Sequence, residues 1–184
     1  MKHTLIGQLL LILCCAVYLI WWYRGFRPGV NVSRVGGANG VLLLITAVLG
    51  LAGVVLSLSP VPVVRDYWIS QGSVVVIGIV SYIVLLFVTK TLFHRIVTTE
   101  LILIVGWTML EMIVADRLFA GGAFGEGSLF AVCMVIAVAF LISIVLYVAY
   151  YGMDEMKAFY AAMVPLITEA VAMGILTGVV LAGR

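Results

Sequence analysis

Six long apolar stretches occupy most of this 184-residue sequence and constrain its fold more than any other feature. A helix needs about 20 mainly apolar residues to cross the roughly 30 Å hydrocarbon core of a membrane, because each residue adds about 1.5 Å. The six stretches have this length, and they cover residues 5–23, 41–59, 73–90, 96–116, 129–151 and 158–181. They predict six transmembrane segments.

These stretches predict helices and not the strands of a barrel. Lipid offers no hydrogen-bond partner to a bare backbone amide, so only helices and closed barrels span a membrane. Barrel strands alternate polar and apolar residues, whereas the run SLFAVCMVIAVAFLISIVLYVAYY has no such alternation. The sequence therefore predicts an all-α, polytopic membrane bundle of six helices with short loops, forming a single domain over residues 1–184.

The composition supports a lipid environment. The chain is 65% hydrophobic and 10% charged, against about 45–50% and about 25% in soluble domains. A soluble domain of this length could not hide so much apolar surface. We therefore expect the lipid bilayer to be its main partner, as for a multi-pass protein of the plasma (cytoplasmic) membrane. The net charge of +2 is too small and dispersed to predict nucleic-acid binding.

The distribution of lysine and arginine predicts the orientation of the bundle. Cytoplasmic loops carry an excess of these residues. The first, third and fifth connections hold six of the ten, which are Arg24, Arg27, Arg34, Lys90, Arg95 and Lys157. We therefore expect these connections to face the cytoplasm and both termini to lie outside.

Two glutamates fall at the depth of the hydrocarbon core. Glu169 lies about 16 Å, and Glu111 about 22 Å, from the predicted cytoplasmic ends of the sixth and fourth segments. A charge at a helix centre costs about 2.5–3.5 kcal/mol on insertion scales, so such a residue usually faces the bundle interior and has a partner. No lysine or arginine occurs at comparable depth in the sequence. Glu169 and Glu111 are therefore candidates for binding a proton, a cation or a cationic ligand, and the more isolated Glu169 ranks first.

Trp107 and Glu100 complete the candidate ion- or substrate-binding set. The spacings from Glu100 to Trp107 and on to Glu111 return to one face of a helix. That face is interpreted as a polar track leading inward from the membrane surface. In the alternative interpretation, Glu100 is solvated at the interface and Trp107 only packs.

A stripe of small residues predicts close helix packing in the sixth segment. Ala170, Gly174 and Gly178 recur every four residues, a spacing that lets two helix backbones approach. Their packing partner is either another helix of this chain or a second copy, which would give a homo-oligomer through the sixth segment.

Few residues offer other chemistry. The three cysteines, Cys14, Cys15 and Cys133, lie in apolar stretches without metal-ligand spacing, and the chain has only two histidines. No HExxH or GxSxG motif is present. The sequence therefore predicts no cofactor, leaves any metal undefined, and disfavours an enzyme without excluding one.

Three functions remain open from the sequence. The first is a transporter or channel for a proton, a cation or a small cationic solute that uses the buried carboxylates. The alternative is a non-catalytic binding or assembly subunit of a larger membrane complex. The third is an enzyme acting on a lipid or quinone at the membrane surface through His94, Arg95 and the first loop, for which no catalytic constellation is visible.

Overall fold

A computed structural model describes residues 1–29, 37–94 and 99–183 of the chain. Every regular element in these ranges is helical, which confirms the all-α prediction. The helices are α1 (Lys2–Phe26), α2 (Gly37–Ser57), α3 (Gln71–Leu92), α4 (Thr99–Ala120), α5 (Glu126–Ala149), α6 (Glu155–Ala161) and α7 (Val164–Ala182), with a 3₁₀ turn at Tyr150–Gly152.

Among the described residues, five helical stretches are long and apolar enough to cross a membrane. They are α1, Asn39–Ser57 of α2, α3, α5, and the stretch Glu155–Ala182 that contains α6 and α7. The predicted count of six is not confirmed, because α4 carries four charged residues in its 22. The prediction of short loops is not confirmed either, because residues 58–70 form a longer connection between α2 and α3.

The sixth predicted segment, residues 158–181, is interrupted between α6 and α7. Pro165 lies in the first turn of α7. It has no N–H to donate to the carbonyl group one turn earlier, so it favours a helix start over a helix interior. As a result, Glu169 lies only about 8 Å along the axis from the start of α7, about half the distance that an uninterrupted helix implies.

Helices α1 and α2 form a closely packed antiparallel hairpin. A Cβ atom on Gly7 would lie 2.7 Å from the Gly53 carbonyl oxygen and would also collide with the Ser57 backbone nitrogen. Farther along, the Cys14 thiol donates to the Thr46 carbonyl oxygen at 3.3 Å. The absence of a side chain at Gly7 is therefore what lets the two backbones meet.

Helix α4 lies inside the bundle, where it packs against α3, α5 and α7. Near the end that carries Met1, its buried Val114 and Leu118 join a core cluster with Leu129 of α5 and Leu176 of α7. Towards the opposite end, Leu101 and other α4 side chains join a second cluster with α3 and α5. Helix α4 carries too many charged residues to count among the five apolar spans, and it is also the helix that its neighbours enclose most.

The connection over residues 58–70 is attached to α4 by a polar network. The buried Asp116 carboxylate accepts hydrogen bonds from the Trp68 backbone N–H at 2.8 Å and from the Gln71 amide at 3.0 Å. Arg117 donates to the Gln71 side chain at 3.1 Å and to the Leu58 carbonyl oxygen. These two charges of α4 therefore have structural partners.

Replacing Asp116 with alanine is expected to lower the free energy of unfolding by about 2 kcal/mol, because two donors lose their acceptor. Thermal or denaturant unfolding in detergent measures the change. Asp66→Ala, at an exposed position of the same connection, is the matched control and should shift stability by less than about 0.5 kcal/mol. Equal effects of the two substitutions would contradict a structural role for Asp116.

Candidate functional site

Glu111 is fully enclosed near the middle of α4, with 0% of its surface exposed. Its Oε1 atom accepts a hydrogen bond from the Gln8 side-chain amide of α1 at 3.1 Å. The same amide nitrogen lies 3.3 Å from the Ser57 hydroxyl of α2. Gln8 follows Gly7 in the chain, so the close approach of α1 to α2 brings the amide and the hydroxyl together beside the α4 carboxyl group.

Glu169 reaches the same region from α7 and is 8% exposed. The sequence neighbours of the two glutamates share one cluster, in which Leu110 of α4 and Ala170 of α7 pack with Leu11 and Cys15 of α1. Met173, one turn beyond Glu169, packs with Leu11 and Cys15. The structure therefore places the two glutamates that were predicted as site residues in the same region of the bundle. The sequence alone did not show whether they share a site.

The two carboxyl groups have no basic counter-charge within the residues that the structure describes. Neither has a lysine, arginine, histidine or N-terminal nitrogen of those residues within 4.0 Å. Like charges held close in an apolar interior strongly disfavour simultaneous ionisation. A bound cation or a proton would relieve this repulsion.

Five enclosed polar side-chain atoms on α1, α4 and α7 have no hydrogen-bond partner. They are Thr4 Oγ1, Gln8 Oε1, Trp107 Nε1, Glu111 Oε2 and Thr177 Oγ1. Buried polar groups are normally paired, and leaving one unpaired costs about 1–3 kcal/mol.

Two of these atoms lie nearer the end of the bundle that carries Met1. Thr4 lies one turn from Gln8 on the same face of α1. Thr177 lies about 12 Å along the axis of α7 from Glu169. We call Thr4, Gln8, Glu111, Glu169 and Thr177 the polar seam.

The other two predicted site residues lie differently. Trp107 is half-buried one turn before Glu111, and it packs against the apolar residues beside the seam. Glu100 is exposed in the first turn of α4, about 16 Å along the helix axis from Glu111. Trp107 therefore borders the seam, whereas Glu100 does not reach it.

The small-residue stripe of α7 is only partly covered within the described chain. Ala170 packs against the cluster that contains Met173. Gly174 and Gly178 are exposed, and nothing lies within 4 Å of the position where a Cβ atom would stand. Packing against another copy through these glycines stays a prediction.

Sequence reasoning missed Gln8 and Ser57. Neither side chain is charged, and the prediction of the site rested mainly on the charged residues at membrane depth. The available signal was a single amide in the otherwise apolar run LIGQLLLIL.

The chemistry of the seam is that of oxygen atoms. Carboxylate, amide and hydroxyl oxygens suit protons and hard cations. Within the described residues, no group of three or more His, Cys, Asp and Glu side chains is placed to hold a metal ion. No protein-family model, no curated protein and no solved structure matches this chain.

Proposed function

We propose that this protein is a small multipass membrane transporter or channel for a proton, a cation or a small cationic solute, and that Glu111 and Glu169 bind the ligand. The observation that carries the proposal is the enclosure of two carboxyl groups, on the packed helices α4 and α7, that have no basic partner among the described residues. Ionisable residues at membrane depth most often mark an ion pathway or a proton relay.

The proposal includes α4 as a sixth membrane span. Its exposed side chains next to the first turn are apolar, and Leu103 is 71% exposed. Its charged Glu111 and Asp116 are turned inward, and 22 residues give about 33 Å of helix. A helix with this distribution can face lipid on one side and hold charges on the other, although it carries four charged residues.

The same proposal extends to the orientation and the membrane. With six spans both termini lie on one side, and the lysine and arginine bias favours placing them outside. The plasma membrane remains the expected location.

The two carboxyl groups have different roles in this proposal. Glu169 retains some exposure, so it receives the cation first, and the fully enclosed Glu111 holds it. Binding is favoured because the positive charge offsets the repulsion between two acidic groups in a medium of low dielectric. Release requires rearrangement among α1, α4 and α7, whose contacts enclose the seam.

Flux into proteoliposomes tests the proposal. The purified chain is reconstituted, and uptake is measured under gradients of protons, alkali-metal ions and small organic cations. Glu169→Gln should reduce flux at least about tenfold, because the loss of an ionic ligand costs more than about 1.4 kcal/mol of binding. Glu155→Gln is the matched control, since Glu155 is an exposed glutamate of α6 and should leave flux unchanged.

Two results would refute the transport proposal. One is a folded wild-type protein that moves none of these cations. The other is flux that is unaltered in both Glu169→Gln and Glu111→Gln.

The second candidate function is a non-catalytic binding or assembly subunit. The exposed Gly174 and Gly178 on α7 favour it, because small residues at this spacing suit contact with another helix. Purification with a partner in fixed stoichiometry, combined with no flux by the chain alone, would support this function over transport.

A further inference from the structure

We propose that the ligand of this site is a proton, held between Glu111 and Gln8 as a carboxylic acid–amide pair. This inference rests on the proposed transport function, and it narrows the substrate class to the smallest cation. Its basis is the pattern of satisfied and unsatisfied atoms on two fully enclosed side chains.

The two side chains are already joined by one of the two hydrogen bonds that such a pair makes. The Gln8 amide nitrogen donates to Glu111 Oε1 at 3.1 Å. The atoms left over are Gln8 Oε1 and Glu111 Oε2, and both are enclosed without a partner. In an ionised carboxylate both leftover atoms are acceptors, so neither can satisfy the other.

One proton resolves this mismatch. A protonated carboxyl group has one O–H donor, and an amide has one C=O acceptor. A proton on Glu111 Oε2 therefore supplies the donor that Gln8 Oε1 lacks, and it also removes the buried charge. The amide thus matches the neutral acid better than it matches the anion.

A calcium or magnesium ion would find too few ligands at this site. The amide group turns its nitrogen towards Glu111 and Ser57, and an amide N–H is a donor that cannot ligate a cation. Calcium takes about 6–8 oxygen ligands and magnesium demands near-octahedral coordination. Within the described chain, no cluster of three or more acidic, histidine or cysteine side chains is available for such a shell.

No basic side chain of the described residues lies within 4.0 Å of the Glu111 carboxyl group. The other titratable groups in this part of the bundle are Glu169 of α7 and Cys15 of α1, and neither supplies positive charge. Helix α2 contributes the hydroxyl of Ser57. Helix α5 contributes apolar side chains and the Cys133 thiol to the core beside α4, and α3 packs Gly78 against Met109.

The transfer step is a simple exchange of one proton. On loading, an O–H bond of the protonated Glu169 carboxyl group or of hydronium breaks, its bonding pair stays on that oxygen, and a new O–H bond forms at Glu111 Oε2. Its hydrogen is donated to Gln8 Oε1. On release, this O–H bond breaks and a new one forms on the Glu169 carboxylate or on water. The bonding pair stays on Glu111 Oε2, and nothing is oxidised or reduced.

Infrared spectroscopy of the full chain in lipid tests the proton directly. The protonated carboxylic acid has a C=O stretching band distinct from that of a carboxylate, and it shifts on exchange into D₂O. We expect this band at neutral pH in the wild type, its loss in Glu111→Gln, and a frequency shift in Gln8→Leu. Glu155→Gln should leave the band unchanged.

Absence of the band at neutral pH would overturn the inference. A band that kept its intensity in Glu111→Gln and its frequency in Gln8→Leu would also overturn it. Should Glu111→Gln fail to fold, the shift in Gln8→Leu decides the matter, because that variant retains the acid.

Proteoliposome flux separates failure of this inference from failure of the proposed function. Flux driven by an alkali-metal ion, with no acid band from Glu111, overturns the proton assignment and leaves transport standing. An acid band without flux of any cation overturns both, because the acid–amide pair is then a structural contact. Proton flux that is lost in Glu111→Gln, together with the band, supports the inference.

Discussion

Gly7→Leu is expected to lower the free energy of unfolding by at least about 3 kcal/mol, at or above the upper end of the range for overpacked interiors. The new side chain would meet the Gly53 carbonyl oxygen and the Ser57 backbone. Backbone atoms cannot move aside as a flexible side chain can, so α1 and α2 must separate. Because Gln8 is the next residue, its contacts with Ser57 and Glu111 should be lost as well.

Unfolding in detergent measures the stability of Gly7→Leu, and Gly106→Leu is its matched control. Gly106 lies within α4, is exposed, and has nothing within 4 Å of the position where a Cβ atom would stand. The control should therefore retain wild-type stability. If Gly7→Leu were as stable as Gly106→Leu, the close α1–α2 contact would be wrong.

The double variant Gln8→Leu/Glu111→Leu is expected to be more stable than the wild type and to transport nothing. Replacing both partners of a buried hydrogen bond with apolar groups of similar shape is nearly neutral or stabilising, whereas removing one partner leaves a buried polar group unpaired at a cost of about 1–3 kcal/mol. Without the proton, the wild type also encloses two atoms of this pair that have no partner. A gain in stability together with a loss of transport would show that the pair is kept for its chemistry.

The two single variants provide the control for this prediction. Gln8→Leu leaves the carboxyl group buried without its donor, and Glu111→Leu leaves the amide without its acceptor, so each should be less stable than the double variant. If the double variant were instead the least stable of the three, the pair would be structural. Retained flux in the double variant would exclude Glu111 from the pathway.

The sequence predicted the apolar helices well, because the length of a membrane span is set by the thickness of hydrocarbon and is visible in the sequence. The sequence could not show that neighbouring helices enclose α4. The charged residues of α4 interrupt its apolar pattern, and only the packing of α3, α5 and α7 around this helix explains where these residues lie. The break before Pro165 was visible in principle, since proline favours helix starts.

The site was predicted in part, for a similar reason. Glu111 and Glu169 were recognisable because a carboxylate in an apolar stretch is costly. Gln8 and Ser57 were not recognisable, because an uncharged polar residue is a weaker signal. Gln8 also lies 103 positions from Glu111 and 49 positions from Ser57 in the chain.

Glycine spacing was equally ambiguous. The stripe through Gly174 and Gly178 predicted close helix packing, yet Gly7 and Gly53 make the close contact between α1 and α2. Which small residues meet depends on which helices are neighbours, and local sequence does not contain that information.

The central claim is that two enclosed carboxyl groups without a basic partner bind the transported cation. The initial rate of cation flux in proteoliposomes that contain equal amounts of wild type and of Glu111→Gln/Glu169→Gln tests it most directly. The account predicts flux in the wild type and none above protein-free liposomes in the double variant, with both proteins folded. Equal flux through the two proteins would contradict it.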